Sequence, residues 1–231
     1  MKRTCIVSLG TNDYTRARTR LAESMRNPIN WSGDFHLFTE ESQVGSPLHQ
    51  DNPYAFKIYA IEEMKKRGYN QVLWVDCSVW AIKSIVPVFD IITKDGYVCQ
   101  DAGHFVGRWT NDRTLQYFGL SRDEAMQIPM YGNAGFLGLD FDTEIANTFF
   151  NQWKQSMLDG MFVGSWTNHN KSESQDERCD GHRHDMSCGS IIRHRLGMKM
   201  QSGMEYLQYY YDFNPHPHNE TVCLFAAGMR G

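Results

Sequence analysis

Hydrophobic and polar positions along the chain switch repeatedly between two spacings. Four short apolar runs, at Thr4–Leu9 and at residues 35–39, 72–75 and 97–100, have the length and residue types of strands. Between them, apolar residues recur three to four positions apart, which is typical of amphipathic helices. Strands that alternate with helices predict a three-layer α/β/α fold, Rossmann-like, with a mostly parallel central sheet.

The predicted helices have recognisable ends. Asn52 followed by Pro53 is typical of an N-cap and first turn, so we expect a helix over residues 53–67 that stops at Gly68. Ser121-x-x-Glu124 is a capping-box pattern for a short helix. Further helices are expected at residues 14–25, 85–93, 142–157 and 187–195.

Two stretches interrupt this alternation. Residues 103–131 are mixed in character, and residues 168–181 are strongly polar with no apolar period. A long polar loop inside a compact domain is usually functional or disordered, and this one is predicted to be mobile without a ligand. No repeat and no shift in composition marks a boundary, so residues 1–231 are predicted to form one domain.

Composition narrows the class of protein. With 41% hydrophobic and 22% charged residues, the chain has the balance of an ordinary soluble globular protein. A net charge of −4 argues against a general nucleic-acid binder, and no apolar run has the length needed to span a bilayer. The N-terminal residues predict a strand and a turn rather than a signal peptide, which implies a cytoplasmic protein with reduced cysteines.

A carboxylate follows the strand at residues 72–75. Asp76 and Ser78 place two oxygen donors at one strand end, where open α/β sheets put their ligand sites. Hard cations such as Mg²⁺ or Mn²⁺ often bind one or two carboxylates and complete their shell with substrate phosphates. The alternative is a solvated loop aspartate just past a core strand.

A second candidate is the turn Asn133-Ala134-Gly135. It offers a side-chain amide and close backbone approach, which suit the hydroxyl groups of a sugar. The alternative is a tight turn that leads into the next strand.

The third candidate is a histidine-rich stretch near the C-terminal end. It predicts a loop that brings His184 and Asp185 over a site, or alternatively a solvated loop before a helix. Zinc binding is disfavoured because the C-x2-H-x-H-x3-C spacing that starts at Cys179 matches no usual structural zinc pattern.

Three segments together carry a resemblance to a family. They read PYAFKIYAIEEMKKRGYNQVLWVDCSV, YGNAGFLGLD and HRHDMSCGSIIRHRLGM, and with the rest of residues 4–200 they resemble nucleotide-sugar glycosyltransferases of the GT-A fold. In such enzymes a strand ends in Asp-x-Asp, which ligates a divalent metal on the donor diphosphate. An Asn-Ala-Gly turn then lines the sugar pocket, and a His-x-x-Asp-Gln-Ser segment contacts the donor or the metal.

The resemblance implies a role for each matching residue. Residues 1–100 would form a nucleotide-binding half and residues 101–231 a half for the donor sugar and acceptor. His184 and Asp185 would be catalytic, and Mn²⁺ or Mg²⁺ would be held by Asp76, Ser78 and His184. The residues expected to bind the nucleotide-sugar donor are Gly10, Thr11, Asn12, Asp13, Lys57, Asp76, Ser78, Asn133, Ala134 and Gly135.

Two positions depart from the family pattern. Ser78 stands where the second aspartate of the metal motif is expected, and Met186 stands where an amide is expected. The leading hypothesis is transfer of a sugar to a carbohydrate, lipid or protein acceptor. A non-catalytic carbohydrate- or nucleotide-binding relative is the second. A nucleotidyltransferase is the third, although the turn after the first strand lacks a glycine-rich phosphate loop.

Overall fold

The computed structural model describes residues 2–132, 135–202, 205–209 and 220–227. The helices are α1 (Thr15–Arg26), α2 (Ala55–Lys66), α3 (Val86–Asp95), α4 (Asp112–Tyr117), α5 (Arg122–Ala125), α6 (Glu144–Leu158) and α7 (His184–Arg195). The strands are β1 (Thr4–Leu9), β2 (Asp34–Phe38), β3 (Gln71–Trp74), β4 (Val79–Ala81), β5 (Tyr97–Cys99), β6 (Asp101–Phe105), β7 (Pro129–Tyr131), β8 (Leu137–Asp140), β9 (Leu207–Tyr209) and β10 (Leu224–Ala226).

The central sheet has five strands in the order β2-β1-β3-β8-β5. Strand β1 pairs in parallel with both β2 and β3, and Val7 lies opposite Trp74 in the second pairing. Strand β8 is antiparallel to both of its neighbours, so four of the five strands point the same way. The predicted mostly parallel α/β sheet is confirmed.

Alternate residues of the strands face two separate cores. Val7 and Trp74 belong to a core that includes buried residues of α2, α6 and α7. Ile6 and Leu73 belong to the other, with buried residues of α1 and α3. A strand that is apolar on both faces has to be covered by helices on both sides, and this produces the predicted three layers.

Two small sheets lie outside the prediction. Strands β4, β10 and β9 form a three-stranded sheet, and β6 pairs with β7 across the mixed stretch. These strands are three to five residues long, and several depend on partners far away in sequence. Short strands carry too few residues for an alternation of apolar and polar positions to be visible.

Two predicted helix starts were wrong. Asn52 is not the N-cap of α2: the N-cap is Tyr54, which has a φ of 61° and makes no side-chain capping hydrogen bond. Helix α7 begins at His184, three residues earlier than residue 187. Tertiary contacts of Tyr54 and His184, described below, override the local sequence signals at both positions.

Candidate active site

A cleft of about 310 Å³ opens where β1 and β3 end. Five of the predicted donor-binding residues line it together: Gly10, Thr11, Asp13, Asp76 and Ser78. The remaining lining residues were not predicted, and most are aromatic or titratable: Leu9, Tyr14, Glu41, His49, Tyr54, Phe56 and Cys77. Neighbouring parallel strands bring their carboxyl ends to one edge, which explains why residues 10–13 and 76–78 meet.

A buried lysine joins two carboxylates beside this cleft. Lys57 of α2 is 3% exposed, and its Nζ lies 3.3 Å from Asp76 Oδ1 and 3.0 Å from Asp185 Oδ2. Burial lowers the pKa of Lys57, but attraction to Asp185 and Asp76 outweighs it, so the pKa is raised above its ordinary value. The ammonium group therefore stays charged and ties β3, α2 and α7 together.

The two carboxylates have different surroundings. Asp185 is buried, and burial raises its pKa while Lys57 opposes that rise. Asp76 is half-buried at the cleft wall, and its Oδ1 accepts a hydrogen bond from Trp74 Nε1 at 2.9 Å. Asp76 therefore faces the space where a ligand would bind, and Asp185 anchors the lysine from behind.

A glycine permits close packing against Asp76. Gly135 has a φ of +68°, and a Cβ at this position would collide with Asp76 Oδ1 and lie 2.9 Å from Trp74 Nε1. Only a residue without a side chain fits both the backbone angle and this space. Gly135 thus lies against Asp76, whereas Asn133, Ala134 and the side chain of Asn12 lie outside the described residues.

His184 is held in one tautomer. Its Nδ1 lies 2.8 Å from the Phe162 carbonyl, which can only accept, so Nδ1 carries the proton and Nε2 a lone pair. Burial lowers the pKa of His184 to about 4. Nε2 is buried and has no hydrogen-bond partner within the described part of the chain. A buried lone pair of this kind is suited to accept a hydroxyl proton or to ligate a metal.

Tyr54 connects His184 to the charged cluster. Its ring centroid lies 5.3 Å from that of His184 and 4.8 Å from Lys57 Nζ. The positive φ of Tyr54 is sparsely populated for a non-glycine residue, and backbone strain of this kind is common at ligand sites. Nothing in the local sequence, in which Tyr54 follows Pro53 and precedes Lys57 by three residues, indicates this role.

The neighbouring histidine has a structural role. His182 Nε2 contacts the Met161 carbonyl at 2.9 Å, and Nδ1 lies 3.4 Å from the Asn111 backbone nitrogen. The thiol groups of Cys179 and Cys188 also contact backbone carbonyl groups. No group of three or more His, Cys, Asp or Glu side chains within the described ranges is arranged to hold a metal ion.

The fit of a divalent cation depends on the oxygen donors at the cleft. Asp76 offers a half-buried carboxylate, and Ser78 lines the same wall. Magnesium-like ions commonly bind with one or two carboxylates and take their remaining ligands from water and substrate phosphates. The donor set suits a cation of this kind and does not form a closed protein cage.

Solved structures with a similar fold are glycosyltransferases. Mouse xyloside xylosyltransferase 1 in its apo form is 9% identical, with a TM-score of 0.54, and the match covers 98% of each chain. The galactosyltransferase LgtC, solved with donor and acceptor sugar analogues, is 13% identical, with a TM-score of 0.50 over 96% of this chain and 86% of that one.

A third similar structure is the apo form of WbbM, a bifunctional glycosyltransferase. It is 10% identical, with a TM-score of 0.55 over 98% of this chain but 46% of that one. No protein-family model and no curated protein matches the sequence. Among the described helices, none combines the length and apolar character needed to cross a membrane. The chain has the GT-A fold of these glycosyltransferase structures.

Proposed function

We propose that this protein transfers a sugar from a nucleotide-sugar donor to a glycan, lipid or protein acceptor. The observation that carries the proposal is the cleft at the ends of β1 and β3, whose wall includes Asp76 of the Lys57–Asp76–Asp185 cluster. The similar structures support it, because each is named a sugar transferase and one holds donor and acceptor analogues.

The donor nucleotide would occupy the wall formed by residues 10–13. Thr11 and Asp13 offer polar groups for a ribose, and the rings of Tyr14 and Phe56 offer apolar surface for a base. We also propose that Asn133 and Ala134, which lie outside the described residues, contact the donor sugar.

The charge of the cluster supports assistance by a metal. One ammonium group and two carboxylates sum to about −1, so a diphosphate approaching Asp76 needs added positive charge. We propose that Asp76 and Ser78 hold Mn²⁺ or Mg²⁺ that arrives with the donor. His184 does not line this cleft, and its lone pair is left for the acceptor. When bound, the ion would neutralise charge on the leaving diphosphate.

His184 and Asp185 would act on the acceptor side. The Nε2 lone pair of His184 would accept a hydrogen bond from the acceptor hydroxyl and orient it. Because the pKa of His184 is about 4, the imidazole stays neutral and keeps that lone pair at physiological pH. Asp185 would fix Lys57 and, through it, the position of Asp76.

A non-catalytic sugar- or nucleotide-binding role is the second candidate. It is favoured by the two departures from the family pattern, of which Met186 is the clearer in the structure. Met186 packs on Gly132, where an added Cβ would lie 2.6 Å from its methyl carbon, so it contributes an apolar contact and no amide. We also propose a cytoplasmic location for the protein, which cell fractionation would test.

A thermal-shift panel of nucleotide-sugars with and without Mn²⁺ tests the proposal. A true donor at a hundred times its Kd stabilises the fold by about 2.7 kcal/mol, so it should stand out from other nucleotides. Asp76→Asn should abolish the metal-dependent part of the shift, and Asp142→Asn on the exposed surface serves as the control.

Turnover separates the two candidates. Release of nucleoside diphosphate from the stabilising donor supports a transferase. Stabilisation without release supports the binding protein. Metal-dependent donor affinity that is unchanged in Asp76→Asn contradicts the assignment of Asp76.

A further inference from the structure

An arginine beside the candidate active site lies over two indole rings. The guanidinium carbon of Arg183 lies 3.8 Å from the ring centroid of Trp109 and 3.9 Å from that of Trp166. The Arg183 backbone N–H also donates to the Trp109 carbonyl at 3.0 Å. Two indole rings therefore lie within cation–π distance of the guanidinium, and this kind of contact leaves the N–H groups of an arginine available for hydrogen bonds.

The edge of Arg183 is uncommitted. Its guanidinium makes no hydrogen bond or ion pair with any residue in the described ranges. Other arginines nearby are engaged: Arg178 binds Asp176 and Asp123, and Arg108 binds Asp180. A half-buried guanidinium without a carboxylate partner is costly, because water is partly excluded and none of the described residues supplies an acceptor in its place.

The surrounding charges also leave room for an anion. Tyr54, Asp180 and Tyr209 lie near Arg183. Asp180 is the carboxylate among these groups, and it is already paired with Arg108. The positive charge of Arg183 is therefore compensated in part only.

The position of the stack is on the acceptor side of the candidate site. The ring of Trp166 lies 5.7 Å from that of His184 and 6.2 Å from that of Tyr54. Tyr54 lines the donor cleft, whereas Arg183 and Trp166 do not. Trp166 is 47% exposed, so it presents an apolar ring beside the His184 imidazole.

We propose that the Trp109–Arg183–Trp166 stack binds an anionic substituent, a carboxylate or a phosphate, on the sugar that accepts the transferred group. A guanidinium held against two rings loses little conformational freedom when it forms a bidentate contact with such a group. The exposed indole of Trp166 would pack against the sugar ring itself. This inference names the acceptor class and rests on the proposed transferase function.

Three sugars probe the stack directly by calorimetric titration of the full chain: methyl glucuronide, glucose 6-phosphate and uncharged methyl glucoside. At least one of the two acids should bind ten times more tightly than the neutral sugar. Whichever acid binds more tightly identifies the carboxylate or the phosphate as the preferred group.

Variants assign the preference to Arg183. Arg183→Gln should remove at least tenfold of the affinity for the acid and leave the weak binding of methyl glucoside unchanged. Arg183→Lys keeps the charge but not the planar edge, so its affinity for the acid should lie between those of the parent and of Arg183→Gln. Lys171→Gln removes a positive charge from the preceding 168–181 loop, where Lys171 pairs with Glu177, and should bind as the parent does.

Several results would overturn the inference. Equal binding of the acids and the neutral sugar, or no measurable binding of either acid, excludes an anion site. Normal acid binding by Arg183→Gln, with only a lower melting temperature, reduces the stack to a structural contact. If Arg183→Gln instead weakens only nucleoside diphosphate binding, Arg183 contacts the donor.

This failure is distinguishable from failure of the proposed function. The thermal-shift panel tests donor binding without any acceptor. If a nucleotide-sugar stabilises the fold but the acids bind no more tightly than the neutral sugar, only the inference about the acceptor is wrong. If the acids bind through Arg183 but no nucleotide-sugar binds, the anion site is supported and the proposed transferase function is wrong.

Discussion

Two polar regions of this molecule are built in different ways. The Lys57–Asp76–Asp185 cluster joins residues up to 128 positions apart and is buried between α2, β3 and α7. The 168–181 loop is held mainly by hydrogen bonds between residues close together in sequence. The Asn168 side chain accepts from the Glu173 and Ser174 backbone N–H groups. It also donates to the Ser174 and Cys179 carbonyls.

The two regions differ in how much stability is lost when one charged partner is removed. In the cluster, removal of one partner leaves a buried charge without an opposite charge, so the stability of each member depends on the others. In the loop, ion pairs such as Arg178–Asp176 lie near water, which can replace either partner. The loop is therefore ordered by the half-buried amide of Asn168 and by buried Ser174, whose hydroxyl donates to Asp112 at 2.7 Å. Its many surface charges contribute little.

Removal of Lys57 should have the largest effect on stability. Lys57→Met leaves Asp185 buried without its cation, and the free energy of unfolding should fall by about 3–5 kcal/mol in urea titrations. Lys65→Met on the same helix, which removes an exposed bond to Asn147, should stay within about 0.5 kcal/mol. Equal losses in the two variants would mean that the cluster is no more than a surface contact.

The pH dependence of the Lys57→Met variant sharpens this test. Burial raises the pKa of Asp185 above its ordinary value of 3.8, and loss of Lys57 should raise it further. The folded variant then binds a proton more tightly than the unfolded chain does. Its stability deficit relative to the parent should therefore shrink as the pH falls from 7 towards 4.

Asp185→Asn should separate activity from stability. Asp185 is the second residue of α7 and not its N-cap, so the substitution removes a charge that holds Lys57 rather than a cap. Turnover of the donor should fall on the order of a hundredfold, with an unfolding free energy lower by about 1–2 kcal/mol. Asp142→Asn is the matched surface control, and a fully active Asp185→Asn enzyme would confine Asp185 to a structural role.

The two buried histidines should resist protonation. The pKa of His184 is lowered to about 4 and that of His182 to about 3, from an ordinary value of 6.5, chiefly by burial. The unfolded chain therefore gains protons below pH 6.5 that the folded chain does not, and stability should fall between pH 6.5 and 4. NMR titration, with His182→Asn and His184→Asn for assignment, should show no imidazole transition of either residue above pH 5.

The smallest contrast lies within the loop. Asn168→Ala should cost about 1–3 kcal/mol, because it leaves backbone groups of residues 173, 174 and 179 without partners. Arg178→Ala should cost less than about 1 kcal/mol. Hydrogen exchange should be slow at the Glu173 and Ser174 amides even without a ligand, and fast exchange there would restore the mobile loop that the sequence predicted.

Regular elements with many residues were predictable. Strand β1 and helix α6 were located almost to the residue, because each repeats its apolar spacing over its full length. The capping box at Ser121 and Glu124 is also confirmed, because both of its hydrogen bonds are local. Strands of three residues such as β4 and β9 were missed, because they depend on partners elsewhere in the chain.

The sequence by itself determined the layered α/β fold and the position of Asp76 at a strand end, since both follow from periodicity along the chain. Tertiary structure alone decided that Asp185 pairs with Lys57, that the Nε2 atom of His184 is left open, and that Arg183 lies between two tryptophans. The physical reason is distance along the chain: spacing rules report only neighbours within a few turns. Burial and charge compensation act between residues that meet only after folding.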